Sequence, residues 1–202
     1  MRINYIAIER EYGSGGTQIA QQLAKETDFV CYGKEILEEV SKEQNMTVEQ
    51  IDKCEETVTN SFLYSVFAIT KAQTGNTDML AGEGNIFLAE QTVIKRLAAD
   101  HKAIFLGHCA SEALKDKGGI LKVYIHCTDE EAKKKRIMEE YGIPEEAVDS
   151  TRKYYDKKRS NFYCANTARH WSDYKNYDVV LDTAQVGVKG CVEILKSLLA
   201  QD

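Results

Sequence analysis

The chain has 202 residues, 43% of them hydrophobic and 29% charged, with a formal net charge of −6. That length supports one domain with a substantial core, and the composition is ordinary for a globular protein. The acidic balance excludes a broad electrostatic footprint for nucleic acid, no uncharged apolar run reaches membrane-spanning length, and no signal-peptide pattern opens the chain, so a cytoplasmic protein with no membrane partner is expected.

The first element is an apolar strand over residues 3–9, which runs through Arg10-Glu11-Tyr12-Gly13-Ser14-Gly15-Gly16-Thr17 into the helical stretch Ile19 to Ala24. A glycine-rich turn from strand to helix suits an oxyanion, because its backbone N–H groups converge and the helix N-terminus adds partial positive charge. The phosphate-binding pattern G-x-x-x-x-G-K-[S/T] finds Gly15 and Thr17 in place. Gly16 stands where the lysine belongs, and Arg10 where the first glycine belongs. Three glycines in four residues exceed what a tight turn needs, a ligand-free turn being the alternative.

A short strand follows near Phe29-Val30-Cys31, and then residues 34–99 read as three or four helices without a strand. This all-helical insertion includes the apolar run Phe62 to Ile69, a core segment or a dimer contact. Apolar strands return at 103–106, 121–125 and 177–181, and their unbroken apolar character fits a parallel sheet covered on both faces. His108, just past the third strand, is either a ligand group at the sheet's carboxyl edge or a core histidine. Thr128-Asp129-Glu130-Glu131 reads as a capping box with Thr128 as the cap. Gly142-Ile143-Pro144 separates two charged helical segments, and Gly187 precedes a closing amphipathic helix from Val188 to Leu199.

Between Arg136 and Arg169 the charge turns basic. Arg152, Asp156 and Arg159 fall at i, i+4 and i+7, so one helical face carries two guanidiniums with a carboxylate between them. Guanidinium forks suit phosphate oxygens, and phosphoryl transfer consists largely of positioning and charge neutralisation. The plainer alternative is a solvated face on which Asp156 pairs with both arginines, each pair contributing a few tenths of a kcal/mol. Trp171 reads as a packing residue, or as an aromatic that stacks on a base. The six cysteines (Cys31, Cys54, Cys109, Cys127, Cys164 and Cys191) form no C-x-x-C pair, so buried free thiols are expected instead of zinc ligands.

Four segments taken in order carry a resemblance: Arg10 to Gly16, Leu106-Gly107-His108-Cys109-Ala110, Asp156 to Tyr163, and Trp171 to Asp178. Together they resemble the cytidylate kinase-like family of P-loop nucleoside monophosphate kinase folds, nearly end to end and most weakly across the helical insertion. The motifs are specific for the family, and none is specific for a substrate. The resemblance implies a three-layer α/β P-loop fold: a single kinase-like domain over residues 1–202 with a five-stranded parallel sheet. It implies a helical monophosphate-binding insertion at about 34–99 and a lid-like basic helical segment at about 136–170. The implied activity is ATP- and Mg²⁺-dependent phosphoryl transfer to a nucleoside monophosphate, CMP-like, with a homodimer as a further possibility. Gly13, Ser14, Gly15, Gly16, Thr17 and Gln18 would hold the donor phosphates, and the Thr17 hydroxyl would meet Mg²⁺. Arg10 would supply the charge of the missing lysine. Arg152 and Arg159 would be lid arginines oriented by Asp156, while Lys34 and His108 would face the acceptor.

The chain departs from the family at three positions. Glu9 stands where a serine is usual, Gly33 where an aspartate is usual, and His108 where an arginine is usual. An arginine–phosphate hydrogen bond is worth about 1.5–3 kcal/mol, so its loss at His108 lowers affinity or changes the substrate. Two alternatives stay open: a kinase-fold protein that binds nucleotide with little or no transferase activity, and a scaffold built on the insertion.

Overall fold

The computed structural model describes residues 2–51 and 83–200. The apolar runs form strands β1 (Tyr5–Arg10), β2 (Val30–Tyr32), β3 (Ala103–Leu106), β4 (Ile120–His126) and β5 (Val179–Asp182). The helices are α1 (Gly16–Glu26), α2 (Lys34–Gln44), α3 (Glu83–Leu97), α4 (Ala110–Ala113), α5 (Glu130–Tyr141), α6 (Glu145–Thr167) and α7 (Thr183–Leu199). All strand pairs are parallel, in the order β2-β3-β1-β4-β5.

Alternation along the strands builds the three layers. Ile6, Ile8, Ile104 and Leu106 face one side, where Ile19, Ala20 and Leu23 of α1 and Cys191, Val192 and Leu195 of α7 complete the core. Ala7, Ala103 and Phe105 face the other side, against Ile36 and Val40 of α2, Val93 and Ile94 of α3 and the small residues of α4. Phe105 is fully buried; burial of such a side chain contributes about 1.5–3 kcal/mol. This arrangement brings the C-terminal ends of β1, β3 and β4 together, the edge at which open α/β sheets bind ligands.

Several boundaries differ from expectation for identifiable reasons. The first strand extends to Arg10 because Arg10 stays in register with Ile125 of β4. The last begins at Val179 because Asp178 is still turning, its N–H donating to Lys122 O at 2.8 Å and its carboxylate accepting from Lys122 N at 2.9 Å. Asp129, and not Thr128, caps α5, accepting from Ala132 N at 3.0 Å. Thr128 is drawn away by Asp182, to which its hydroxyl donates at 2.6 Å and its N–H at 3.0 Å. Gly187 is non-helical at φ +72° and ψ 160° and divides α7 into a short first turn from Thr183 and the amphipathic helix that begins, as expected, at Val188. The break at Gly142 to Pro144 stands as expected, with Gly142 a left-handed C-cap at φ +65° and Pro144 the N-cap of α6.

Of the expected insertion, α2 and α3 fall within the described residues, whereas Phe62 to Ile69 and Cys54 lie outside them. The five described cysteines are free. Burial holds for Cys109, Cys127 and Cys191, whereas Cys31 is half-buried and α6 presents Cys164 to solvent. No described helix is long and apolar enough to cross a membrane.

Asp182 joins three segments: besides Thr128 it caps α7, accepting from Ala184 N at 2.9 Å. Desolvation opposes ionisation, yet the bonds from Thr128 and Ala184 hold its carboxyl below the ordinary value. Its folded pKa is therefore depressed, and its contribution is present above about pH 4 and lost as pH falls through that folded value. Asp182→Ala is expected to lower stability by about 1–2 kcal/mol at neutral pH in denaturant unfolding, with the difference from wild type shrinking in acid.

Candidate active site

The turn between β1 and α1 has the backbone its glycines permit. Gly13 has φ +76° and Gly15 φ +85°, left-handed values that other residues rarely adopt. The turn is pinned from below, where the buried Thr183 hydroxyl donates to Ser14 O at 2.8 Å. Its amides divide into two groups. Tyr12 N–H donates to Asp156 Oδ1 at 2.7 Å, and Gly16 N–H to Ser14 Oγ at 3.4 Å. The N–H groups of Gly13, Gly15 and Thr17 have no hydrogen-bond partner among the described residues.

Arg10 occupies the space left by two glycines. A β-carbon on Gly16 would lie 2.6 Å from Arg10 Cβ, and one on Gly107 would lie 2.5 Å from Arg10 Nη1. The side chain thus crosses from the loop to the end of β3, and a side chain at the usual lysine position is sterically excluded. Its Nε is buried with no hydrogen-bond partner among the described residues. Burial lowers the guanidinium to about 9, and the Arg159 charge pushes the same way against the pull of Glu9. A cation held like this, short of an acceptor and crowded by a second cation, suits an anionic ligand.

The α5–α6 hairpin closes over the loop. Tyr12 stacks on Tyr141 of α5 at 4.9 Å and on Tyr155 of α6 at 4.7 Å. Arg159 lies 5.4 Å from the Tyr12 ring centre and donates to Arg10 O at 3.0 Å. Asp156 is half-buried, and desolvation raises its carboxyl pKa against the opposing effect of the Tyr12 N–H. Ile137 sits over Gly13, and the Arg136 guanidinium donates to Gly13 O and lies near Gly15. A triphosphate reaching the unpaired amides must therefore displace this roof.

Behind the loop, at the ends of β1 and β3, is a cavity of about 160 Å³ lined by Glu9, Arg10, His108, Lys158 and Arg159 among others. His108 Nδ1 lies 3.3 Å from Oε2 of the fully buried Glu90 of α3. The structure thus brings Arg10, Arg159 and His108 together around one cavity. Other expected site residues have different placements. Arg152 reaches Glu130 at 3.0 Å and Asp149 at 3.9 Å, and Asp156 forms no ion pair with Arg152 or Arg159 among the described residues. Lys34 is exposed and pairs with Glu38 at 3.6 Å, and the Gln18 amide bonds Glu140. Trp171 is buried and donates to Glu9, which agrees with a packing role. Glu9 is not among the expected site residues; its signals in the sequence are an acidic residue closing an apolar strand and the departure from the family's usual serine.

Among the described residues, the side chain that the loop offers to magnesium is that of Thr17. The half-buried Thr17 hydroxyl makes no hydrogen bond among the described residues, so it is available to the ion, and no cluster of three or more His, Cys, Asp or Glu there could hold a metal by itself. When bound, such an ion neutralises charge on the donor's β- and γ-oxygens.

A parallel sheet in this order, with the glycine turn after its central strand, belongs to the class of P-loop kinase folds. More narrowly, the model of the cytidylate kinase-like family matches residues 5–185, and the chain belongs to that family. It is similar to the crystal structure of an uncharacterized protein from Eubacterium ventriosum, at 24% identity, TM-score 0.72 and 100% coverage of both chains. It is also similar to shikimate kinase from Bacteroides thetaiotaomicron, at 11% identity and TM-score 0.52, over 96% of this chain and 97% of that one. Among curated proteins, none matches.

Proposed function

We propose that the protein transfers the γ-phosphoryl group of Mg²⁺-ATP to a nucleoside monophosphate, of cytidylate type by family. The observation that carries this reading is the pairing of free loop amides with a guanidinium short of acceptors: Gly13, Gly15 and Thr17 beside Arg10. The amides and Arg10 would hold the donor phosphates, and Thr17 the magnesium. The acceptor enters the cavity from the α2 side, with His108 and Lys158 in its wall. The α5–α6 hairpin acts as the lid, and Arg159, anchored on Arg10 O, compensates charge on the group in flight. The reaction is a direct in-line displacement that needs no nucleophilic side chain.

A coupled assay with ATP and a panel of nucleoside monophosphates tests it. Turnover is expected, and Arg159→Ala is expected to lower it by well over tenfold, the scale of a charge-stabilising arginine. Equal rates in the variant would remove the hairpin from the mechanism. A second reading, nucleotide binding with little transfer, is favoured by the Tyr12 amide being taken by Asp156 and by the roof over Gly13. Calorimetry separates the two, since tight ATP binding with no product from any acceptor selects the second.

A further inference from the structure

The cavity wall contains a carboxylate that phosphate binding alone does not require. Glu9, the penultimate residue of β1, is 7% exposed and lines the cavity beside Arg10, His108 and Arg159. Trp171 Nε1 donates to its Oε2 at 3.0 Å, and the indole is itself wedged edge-on against Tyr124 at 5.3 Å. That contact fixes the carboxylate and leaves Oε1 with no hydrogen bond among the described residues. Neither arginine forms an ion pair with Glu9 there, so its charge is not consumed in a structural bridge.

We propose that Glu9 accepts the proton in the transfer step, and therefore that the atom phosphorylated is a hydroxyl oxygen of the nucleoside monophosphate and not its terminal phosphate. The inference rests on the phosphoryl-transfer reading and names the reacting group. A terminal phosphate is already ionised at neutral pH, needs no base, and is repelled by a carboxylate in the same small cavity. An alcohol keeps its proton until attack, and a fixed base within hydrogen-bond reach is what its reaction needs. In the step, the alcohol oxygen bonds to the γ-phosphorus as the bond to the bridging oxygen breaks, and that electron pair leaves with ADP. The hydroxyl proton passes to Glu9 Oε1 and returns to solvent once product departs.

The titratable groups that face Glu9 are Arg10 on its own strand, Tyr124 on β4, His108 after β3, Arg159 and Tyr163 on α6, and Tyr177 before β5. Burial holds the Glu9 carboxyl pKa above its ordinary value, against the opposing pull of Arg10, the Trp171 N–H, His108 and Arg159.

The test compares wild type with Glu9→Gln, supplying Mg²⁺-ATP with each common nucleoside and each 5′-monophosphate and resolving products by phosphorus NMR. New phosphomonoester signals are expected, with a roughly hundredfold slower rate in Glu9→Gln and loss of the acid limb of the pH–rate profile. ATP affinity by calorimetry is expected to be unchanged. Should Glu9→Gln fold poorly, Glu9→Asp keeps the test alive, since it retains the charge and must retain the acid limb. A phosphoanhydride product formed equally fast by wild type and Glu9→Gln overturns the proposal and leaves the kinase reading standing. No transfer to any acceptor, with ATP bound, removes the kinase reading and this proposal together.

Discussion

Arg10→Met is expected to lower phosphoryl transfer at least a thousandfold while leaving the fold as stable as wild type or more so. The first half follows from what charge-compensating arginines contribute to phosphoryl transfer, about 10³–10⁵ in rate. The second half follows from the environment of Arg10. Its Nε lacks an acceptor among the described residues, Arg159 stands nearby, and burial lowers the guanidinium to about 9, well below its ordinary value. Methionine has similar length, suits the slot between Gly16 and Gly107, and removes a poorly compensated charge. The pH dependence has a definite sign. A cation whose folded pKa is depressed weakens the folded state wherever it stays charged, and the penalty fades as pH rises above about 9. Thermal melts across that range should show wild type gaining on Arg10→Met as pH rises. A non-hydrolysable ATP analogue should raise the melting temperature of wild type and leave the variant unmoved. Full turnover in Arg10→Met would exclude Arg10 from the site, and a large fall in melting temperature would make it a structural residue.

What the sequence discloses and what it hides divide along range. The glycine turn is legible because a positive φ at Gly13 and Gly15 is a local demand that local residue types answer. The central strands β1 and β3 are legible because burial on both faces leaves unbroken apolar runs. The roles of the hairpin side chains depend on partners far away in the chain. Asp156 meets the Tyr12 amide across 144 positions, and Trp171 meets Glu9 across 162. Helical spacing alone offers Asp156 the neighbours Arg152 and Arg159. The turn at Gly142 to Pro144 instead folds α6 back on α5 and hands Arg152 to Glu130. The cap of α5 shows the same competition on a smaller scale, since Thr128 and Asp129 are both competent and a strand-end aspartate 54 positions on decides between them. Glu9 is hidden for a related reason: a carboxylate at a strand end becomes chemical only once a cavity forms beside it.

Restoring the ordinary loop lysine is expected to damage this protein, and a second change is expected to repair it. A β-carbon at position 16 would meet Arg10 Cβ at 2.6 Å and Arg10 Cγ at 2.9 Å, atoms too close to the main chain to swing aside. Gly16→Lys therefore forces Arg10 or the loop to move, at about 1–3 kcal/mol for overpacking, and sets an ammonium beside a guanidinium already depressed by burial. Replacing Arg10 with glycine removes both the clash and the competing charge. The double variant Arg10→Gly/Gly16→Lys then reads Gly-Glu-Tyr-Gly-Ser-Gly-Lys-Thr, the full phosphate-loop pattern. Its stability should exceed the sum of the two single effects by about 2 kcal/mol or more, a coupling typical of residues in direct contact. Its ATP affinity should exceed that of either single variant. Denaturant unfolding of the four proteins measures the first quantity and calorimetry the second. Additive effects would mean that Arg10 and the position of the missing lysine are independent, and the arginine could then no longer be read as the lysine's replacement.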